Sequence, residues 1–190
     1  MTGSTDTISA LERSYDELAK VVANLDEAAL RAPSAECPAW DVRGVLNHVL
    51  GAALMFSGAN DGVELPEDAG DVLGTDTPAS AVATIGQSNV ESWARPGGLE
   101  GDRVYPFGSY PAPMGLVINV GEVALHAWDI AKATGQTARI DADVAQLVLD
   151  FYQHAPMDEL REHGVFGPEI PVAASAPVTD RLLGFMSRQP

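Results

Sequence analysis

The sequence predicts an all-α protein, a four-helix bundle followed by an extra C-terminal helix and an extended C-terminal segment. Apolar residues recur at steps of three and four along several segments, which is the period of one helix face. Among the 190 residues, no segment alternates apolar and polar side chains as a half-buried strand does, and no internal repeat is evident. A chain of this length is expected to form a single domain over residues 1–190.

The composition predicts a soluble, cytoplasmic protein. Acidic residues number 27 against 11 basic ones, for a net charge of −16, and such a surface repels nucleic acids and anionic membranes. The single cysteine, Cys37, excludes an internal disulfide, and the N-terminal residues lack the basic and apolar regions of a secretory signal. Residues 44–60 carry no charged side chain, but this run is short and includes polar residues, which favours a buried helix over a membrane span.

The first predicted helix has the clearest pattern. Asp6 or Thr7 can cap its start, and Pro33 ends it. Its apolar stripe consists of Ile8, Leu11, Tyr15, Leu18, Val22, Leu25 and Ala29.

The second and third predicted helices begin at recognisable capping residues. Asp41 is a good N-cap for a helix that continues to about Phe56. Thr77 precedes a proline at the first helical position, which predicts a third helix that ends before Pro96. The acidic, glycine-rich residues 62–76 between them predict a surface loop.

The fourth predicted helix runs from about Pro113 to Thr134 and stops at Gly135, a suitable C-terminal cap. The preceding residues 97–113 are rich in Gly, Pro and aromatic side chains, which predicts an ordered loop rather than a helix.

The C-terminal part is predicted to contain a fifth helix and a short last one. Asp141 can cap the fifth helix, and Thr179 can cap the last. Residues 164–177, rich in Gly, Pro and Ala, should be extended.

Two polar residues in the fourth helix indicate a metal site. Glu122 and His126 are four residues apart, so they lie one turn apart on the same face of a helix that is otherwise almost free of charge. His48 lies in the second helix among residues without charge, and we expect it to be enclosed by the bundle. Facing helices of bundles build metal sites from such residues. The sequence therefore predicts His48, Glu122 and His126 as the ligands of one metal ion.

Simpler explanations exist for the same residues. Simple amphipathicity can explain four residues of the fourth helix, because the solvent-exposed side of a helix can carry Asn119, Glu122, His126 and Asp129. An enclosed His48 can be a hydrogen-bonded core residue.

If the three residues do bind a metal, two imidazoles and one carboxylate suit Zn²⁺, with Ni²⁺ or Fe²⁺ as alternatives, and three protein ligands leave one position open. Asp129 or Asn119 can supply the hydrogen bond that orients a ligating imidazole.

Other residues have less specific patterns. Cys37 can be a reactive thiol or a fourth ligand, but its place beside a proline and a tryptophan favours a packed structural cysteine. Trp40 and Trp128 can line a pocket mouth or belong to the core. The aromatic loop can close over a ligand, with Arg103 holding a substrate carboxylate, or can be a surface loop. His154 and His163 are expected to be solvated.

Three separated motifs resemble one known family. Residues 37–49, CPAWDVRGVLNHV, and residues 122–135, EVALHAWDIAKATG, are similar to the two signatures of actinobacterial DinB-like proteins. These proteins are grouped with the N-terminal domain of mycothiol-dependent maleylpyruvate isomerase. Residues 166–172, FGPEIPV, resemble the end of one metal-binding subfamily, so the resemblance covers nearly the whole chain.

The resemblance implies a DinB-like four-helix bundle that holds a divalent metal on His48, Glu122 and His126. It also implies activation of mycothiol, a low-molecular-weight thiol, for isomerisation or conjugation. The expected partners are a small-molecule substrate and mycothiol, with a homodimer as a further assembly. The isomerase has an additional C-terminal domain that contributes to its active site, and a chain of 190 residues is too short to include it. A substrate other than maleylpyruvate is therefore expected here.

The leading hypothesis is therefore a metal-dependent transferase or isomerase of the mycothiol type. One alternative is a bundle whose metal is structural or absent and which binds a ligand without turnover. Another is a thiol-independent metal hydrolase or lyase.

Overall fold

Residues 4–63 and 70–190 are described by a computed structural model, and within them the secondary structure is almost entirely helical. The chain divides into two units, Met1–Arg139 and Ile140–Pro190. The elements of the first are α1 (Ser4–Val22), α2 (Glu27–Leu30), α3 (Val42–Asn60), α4 (Pro78–Ala94), β1 (Asp102–Tyr105), β2 (Gly108–Pro111) and α5 (Ala112–Ala133). Those of the second are α6 (Ala142–Tyr152), α7 (Met157–Glu162) and α8 (Val178–Phe185).

The four long helices of the first unit form a bundle. Helix α1 packs against α4 and α5, and α3 packs against the same two helices, so α1 and α3 are diagonal to each other. Burial of the apolar stripes between them excludes water from the centre. The all-α prediction is confirmed. The largest fully buried side chains of this unit are Leu11, Leu18, Leu46, Leu50, Phe56, Leu73, Trp93, Leu116 and Ile130.

The predicted capping residues start three helices. The side chains of Asp41, Thr77 and Asp141 accept hydrogen bonds from backbone N–H groups two or three residues further on, at 2.8, 3.2 and 3.0 Å. Each bond satisfies an N–H group that has no partner inside its helix. At the end of α5, Gly135 has a φ of 68°, the left-handed conformation expected of a residue that follows a helix.

The first predicted helix is wrong in its extent. It starts at Ser4, before the predicted caps, and ends at Val22, where the prediction continued it to Ala29. The side chain of Asp26 accepts a hydrogen bond of 2.8 Å from the N–H of Ala29 and thereby starts the separate helix α2. A short acidic side chain competes with the helical hydrogen bonds in this way.

Residues 97–113 contain a small antiparallel hairpin where the sequence predicted a loop. Strands β1 and β2 pair in the register Asp102↔Pro111 to Tyr105↔Gly108. Each strand has only four residues, which is too short for an alternating pattern to be recognised.

The second unit contains one helix that the sequence did not predict, α7. Helices α6 and α8 pack against each other, and residues 164–177 contain no helix or strand, as predicted. The last helix begins after Pro177 rather than Thr179, whose hydroxyl instead donates to the carbonyl of Ile140 at 3.4 Å. No helix of the described residues is long and apolar enough to cross a membrane.

A buried asparagine connects three helices of the bundle. Asn89 of α4 is fully buried, and its side-chain oxygen accepts a hydrogen bond of 3.0 Å from the hydroxyl of Tyr15 in α1. Its amide group donates to the carbonyl of Ala53 in α3, also at 3.0 Å. Polar groups that are buried need such partners.

We expect Asn89→Ala to lower the free energy of unfolding by about 1–3 kcal/mol, because the hydroxyl of Tyr15 then loses its acceptor in a dry environment. Denaturant unfolding followed by circular dichroism measures this change. Gln87→Ala, which removes an exposed side chain from the same helix, should change the stability by less than about 0.5 kcal/mol. Equal effects of the two substitutions would contradict the prediction.

Candidate metal centre

Two neighbouring helices bring the three predicted ligands together. Helix α5 places Glu122 and His126 one turn apart, and α3 supplies His48. Oxygen Oε2 of Glu122 lies 3.1 Å from Nε2 of His48 and 3.5 Å from Nε2 of His126. The donor atoms of all three residues lie within 4.8 Å of one another. The convergence that the sequence predicted is therefore present.

These distances fit a metal ion. Ligand atoms about 2.1 Å from a tetrahedral Zn²⁺ are separated from each other by about 3.4 Å, close to the 3.1 and 3.5 Å around Glu122. Two imidazole nitrogens and a carboxylate oxygen are also ligands that Zn²⁺ and its neighbours in the first transition series accept. The three residues thus form a donor set of suitable chemistry and spacing.

The expectation that His48 is enclosed is wrong. Its side chain is 40 % exposed, whereas that of Glu122 is 26 % and that of His126 is 11 % exposed. The side of α3 that carries His48 lacks charged residues, a pattern that predicts complete burial. The His48 side chain is instead partly exposed to solvent, and so is that of Glu122 beside it.

Asp129 fixes the orientation of His126. This aspartate is 1 % exposed, and its Oδ2 lies 2.8 Å from Nδ1 of His126. A carboxylate at this distance accepts a hydrogen bond from Nδ1–H and turns Nε2, the nitrogen available to a metal, towards Glu122. Asn119, the other predicted partner, does not serve this role, because its side-chain oxygen accepts a hydrogen bond from Nε1 of Trp93.

The pKa values of Glu122 and His126 are shifted in opposite directions. Burial raises the pKa of Glu122, but the hydrogen bonds and charges of His126 and His48 outweigh it and hold this pKa well below its usual range. Burial lowers the pKa of His126, but hydrogen bonds to Asp129, Cys37 and Glu122 outweigh it and raise this pKa well above 6.5. Both shifts favour the charged forms in the metal-free protein, a carboxylate on Glu122 and an imidazolium on His126.

A short loop between α2 and α3 covers one side of the donor set. Its backbone is closed by hydrogen bonds from Ser34 N to Trp40 O at 3.2 Å and from Trp40 N to Cys37 O at 2.9 Å. Glu36 of this loop forms an ion pair of 3.2 Å with Lys132 of α5. We call residues 34–41 the capping loop.

Cys37 of the capping loop contacts the far edge of His126. Its Sγ lies 3.6 Å from Oδ2 of Asp129 and 4.0 Å from Nδ1 of His126. The other ring nitrogen, Nε2, faces Glu122, so the thiol is on the opposite side of the imidazole from the three converging donors. Cys37 is half-buried and packed, and its position does not suit a fourth ligand of the same ion.

Trp40 of the same loop packs on His48. The two ring centroids are 4.8 Å apart with an angle of 30° between the planes. Trp40 remains 41 % exposed, whereas Trp128 is 6 % exposed and belongs to the core. Trp40 therefore lies at the mouth of the site.

Several other candidates lie outside the site. Arg103 donates to Asn60 at the C-terminal end of α3 and to the backbone carbonyls of Gly97, Gly98 and Glu100, so it holds its own loop together. His48 lies more than three turns of α3 away from Asn60, so Arg103 is remote from the donor set. His154 and His163 are exposed, and their Nδ1 atoms each lie 2.7 Å from a backbone carbonyl four residues earlier.

Comparison with known proteins agrees with the fold and the motifs. The family described as the mycothiol maleylpyruvate isomerase N-terminal domain matches residues 11–131, which include all three converging donors. The chain belongs to this family. The DinB-like resemblance of the sequence is thereby confirmed.

Two kinds of relative extend this comparison. An uncharacterised protein, recorded in two strains of Mycobacterium tuberculosis, is 28 % identical over 185 residues, which are 96 % of this chain and 98 % of that protein. The crystal structure of the mycothiol-dependent maleylpyruvate isomerase matches with a TM-score of 0.54 at 15 % identity, over 76 % of this chain and 67 % of that one. At this identity the structural match shows the shared fold.

We expect Asp129→Asn to lower the pKa of His126 in the metal-free protein, because the imidazolium loses its buried anionic partner. NMR titration of the His126 ring measures this pKa. In the wild type, the raised pKa of His126 stabilises the fold fully at pH values below the pKa of this histidine in the unfolded chain. This contribution is lost as the pH rises through the pKa of His126 in the folded protein. Asp143→Asn, at an exposed position of α6, is the charge-matched control. A His126 pKa that does not respond to Asp129→Asn would contradict the assignment.

Proposed function

We propose that this protein is a divalent-metal-dependent transferase or isomerase that uses a low-molecular-weight thiol, mycothiol, as its co-substrate. The observation that carries the proposal is the convergence of His48, Glu122 and His126 at a mouth open to solvent. Membership of the mycothiol isomerase family supports the choice of thiol. The metal we favour is Zn²⁺, with Ni²⁺ or Fe²⁺ as alternatives.

The three donors would hold the ion and leave one position for a ligand from solvent. When bound, the ion would supply Lewis-acid stabilisation of an anionic thiol or water. Glu122 provides the negative charge of the donor set, and His48 and His126 provide neutral nitrogens. Asp129 keeps the proton on Nδ1 of His126, so that Nε2 is available as a donor.

Exposure of the donor set favours a reactive site over a purely structural one. A structural Zn²⁺ has four protein ligands and is closed to solvent. Here the side chains of His48 and Glu122 are 40 % and 26 % exposed, and Cys37 lies on the wrong edge of His126 to complete the set. A thiol-independent hydrolase or lyase remains the alternative within the same metal chemistry, and a homodimer stays a prediction.

We expect the purified protein to hold about one divalent ion per chain and His126→Ala to lose it while the bundle stays folded. The reason is that His126 supplies one of the three donors, whereas the buried apolar side chains of the four helices hold the bundle together. Metal analysis after dialysis, together with circular dichroism, gives both quantities. His154→Ala, at an exposed histidine of the second unit, should leave the metal content unchanged. Full metal occupancy in His126→Ala would show that the ligands are different ones.

Thiol-dependent turnover is the decisive test of the proposed reaction class. We expect the metal-loaded protein either to conjugate mycothiol to small electrophiles, which consumes the thiol, or to convert double-bond isomerisation substrates only when mycothiol is present, which regenerates it. A chelator should abolish this turnover until Zn²⁺ is restored. Glu122→Gln should abolish it, because the amide cannot supply the anionic donor, whereas Glu91→Gln on the exposed side of α4 should not. Mass spectrometry of the thiol adducts and products provides the measurement. Turnover that persists in chelator would overturn the metal mechanism, and turnover without any thiol would favour the hydrolase or lyase.

A further inference from the structure

The exposed indole of Trp40 is an unusual feature of the site. The two other tryptophans, Trp93 and Trp128, are 1 % and 6 % exposed, whereas Trp40 is 41 % exposed. An indole is a large apolar group, and leaving it in water forgoes the stabilisation that burial would give. Trp40 lies at the open side of the donor set, in contact with the most exposed donor, His48.

The backbone of Trp40 is hydrogen-bonded, and its side chain packs against α3. Both backbone polar groups of Trp40 are engaged, its N–H with Cys37 and its carbonyl with Ser34. Gly44 of α3 lies directly beneath it, because a Cβ atom built at Gly44 would be only 2.9 Å from Cβ of Trp40. A side chain that is already fixed loses little conformational entropy when a ligand binds to it.

The packing on His48 leaves part of the indole available. The rings of Trp40 and His48 lie at an angle of 30° with their centroids 4.8 Å apart, so His48 covers part of the indole. In the part of the chain that the structure describes, the indole Nε1 has no hydrogen-bond partner. The uncovered part of the Trp40 indole, with its Nε1–H donor, therefore lies beside His48, one of the three converging residues.

We infer that Trp40 is a specificity-determining residue, which binds a planar, aromatic or conjugated group of the molecule whose donor atom occupies the open position of the metal. The inference rests on the proposed function, because it needs a metal on His48, Glu122 and His126. The site would then discriminate between molecules that bind the metal through the same atoms but differ in whether the attached group is planar. Stacking on an aromatic face favours a flat π system over a puckered aliphatic ring.

A different role for Trp40 makes a different prediction. If the indole only supports the ring of His48, its loss weakens binding of the metal and weakens all ligands of the metal to the same degree. If the indole contacts the ligand, its loss weakens planar ligands selectively. The ratio of two affinities separates the roles, whereas a single affinity does not.

The experiment uses the full-length protein loaded with Co²⁺, whose visible spectrum reports ligand binding. The probes are benzohydroxamate and cyclohexanecarbohydroxamate, which share the metal-binding group and differ in the flatness of the ring. We expect the wild type to prefer benzohydroxamate by roughly three- to tenfold. Trp40→Phe should keep most of this preference and Trp40→Leu should lose it. Phe107→Leu, at an exposed aromatic of the hairpin, should keep all of it.

Fluorescence gives a second readout that does not require Trp40→Leu to fold. Benzohydroxamate should quench the emission of the Zn²⁺-loaded wild type, and this quenching should be absent in Trp40→Phe, which retains only the two buried tryptophans. An unchanged preference in Trp40→Leu, or equal losses for both hydroxamates, would overturn the inference alone. Failure of the wild type to bind Co²⁺ or Zn²⁺ at all would overturn the proposed function, and the inference with it.

Discussion

The carboxylate of Glu122 between two imidazoles is the interaction on which the arrangement of this site depends. An ionised carboxylate that is largely removed from water needs donors or a cation close by. Its Oε2 lies 3.1 Å from His48 on α3 and 3.5 Å from His126 on its own helix, so the partners come from both sides of one helix interface. Asp129 then completes the chain of contacts, because it binds the other nitrogen of His126. The packing of α3 against α5 therefore both partners the carboxylate of Glu122 and brings the three donors together.

Local sequence signals predicted the parts of this arrangement that depend on neighbouring residues. The caps at Asp41, Thr77 and Asp141 form within three residues of the helix start, so sequence alone can indicate them. The spacing of Glu122 and His126 follows from helix geometry in the same way. His48 lies beside Glu122 only because α3 packs against α5, which is a contact between segments that are distant in the sequence. The sequence supported it only through an uncharged helix face and a family resemblance.

Contacts between distant segments account for what the sequence analysis missed. The packing of the capping loop on α5 brings Cys37 to Asp129 across 92 residues, and no pattern within either segment encodes that distance. The exposure of His48 does not follow from the sequence, because a helix face without charged residues is found both in cores and around partly exposed sites. The sequence allows Arg103 as a substrate ligand, because an arginine among aromatic residues is typical of such sites. In the structure, its donors are used by backbone carbonyls of its own loop.

The separation of His48 and Glu122 along the chain has a consequence for folding. They are 74 residues apart, and the intervening chain contains the rest of α3, all of α4 and the hairpin. A metal ion could bind both residues at once only when that long segment is folded correctly. Binding would therefore stabilise the native state by mass action. Loss of the ion would then narrow the stability margin of a bundle that its apolar core still holds folded.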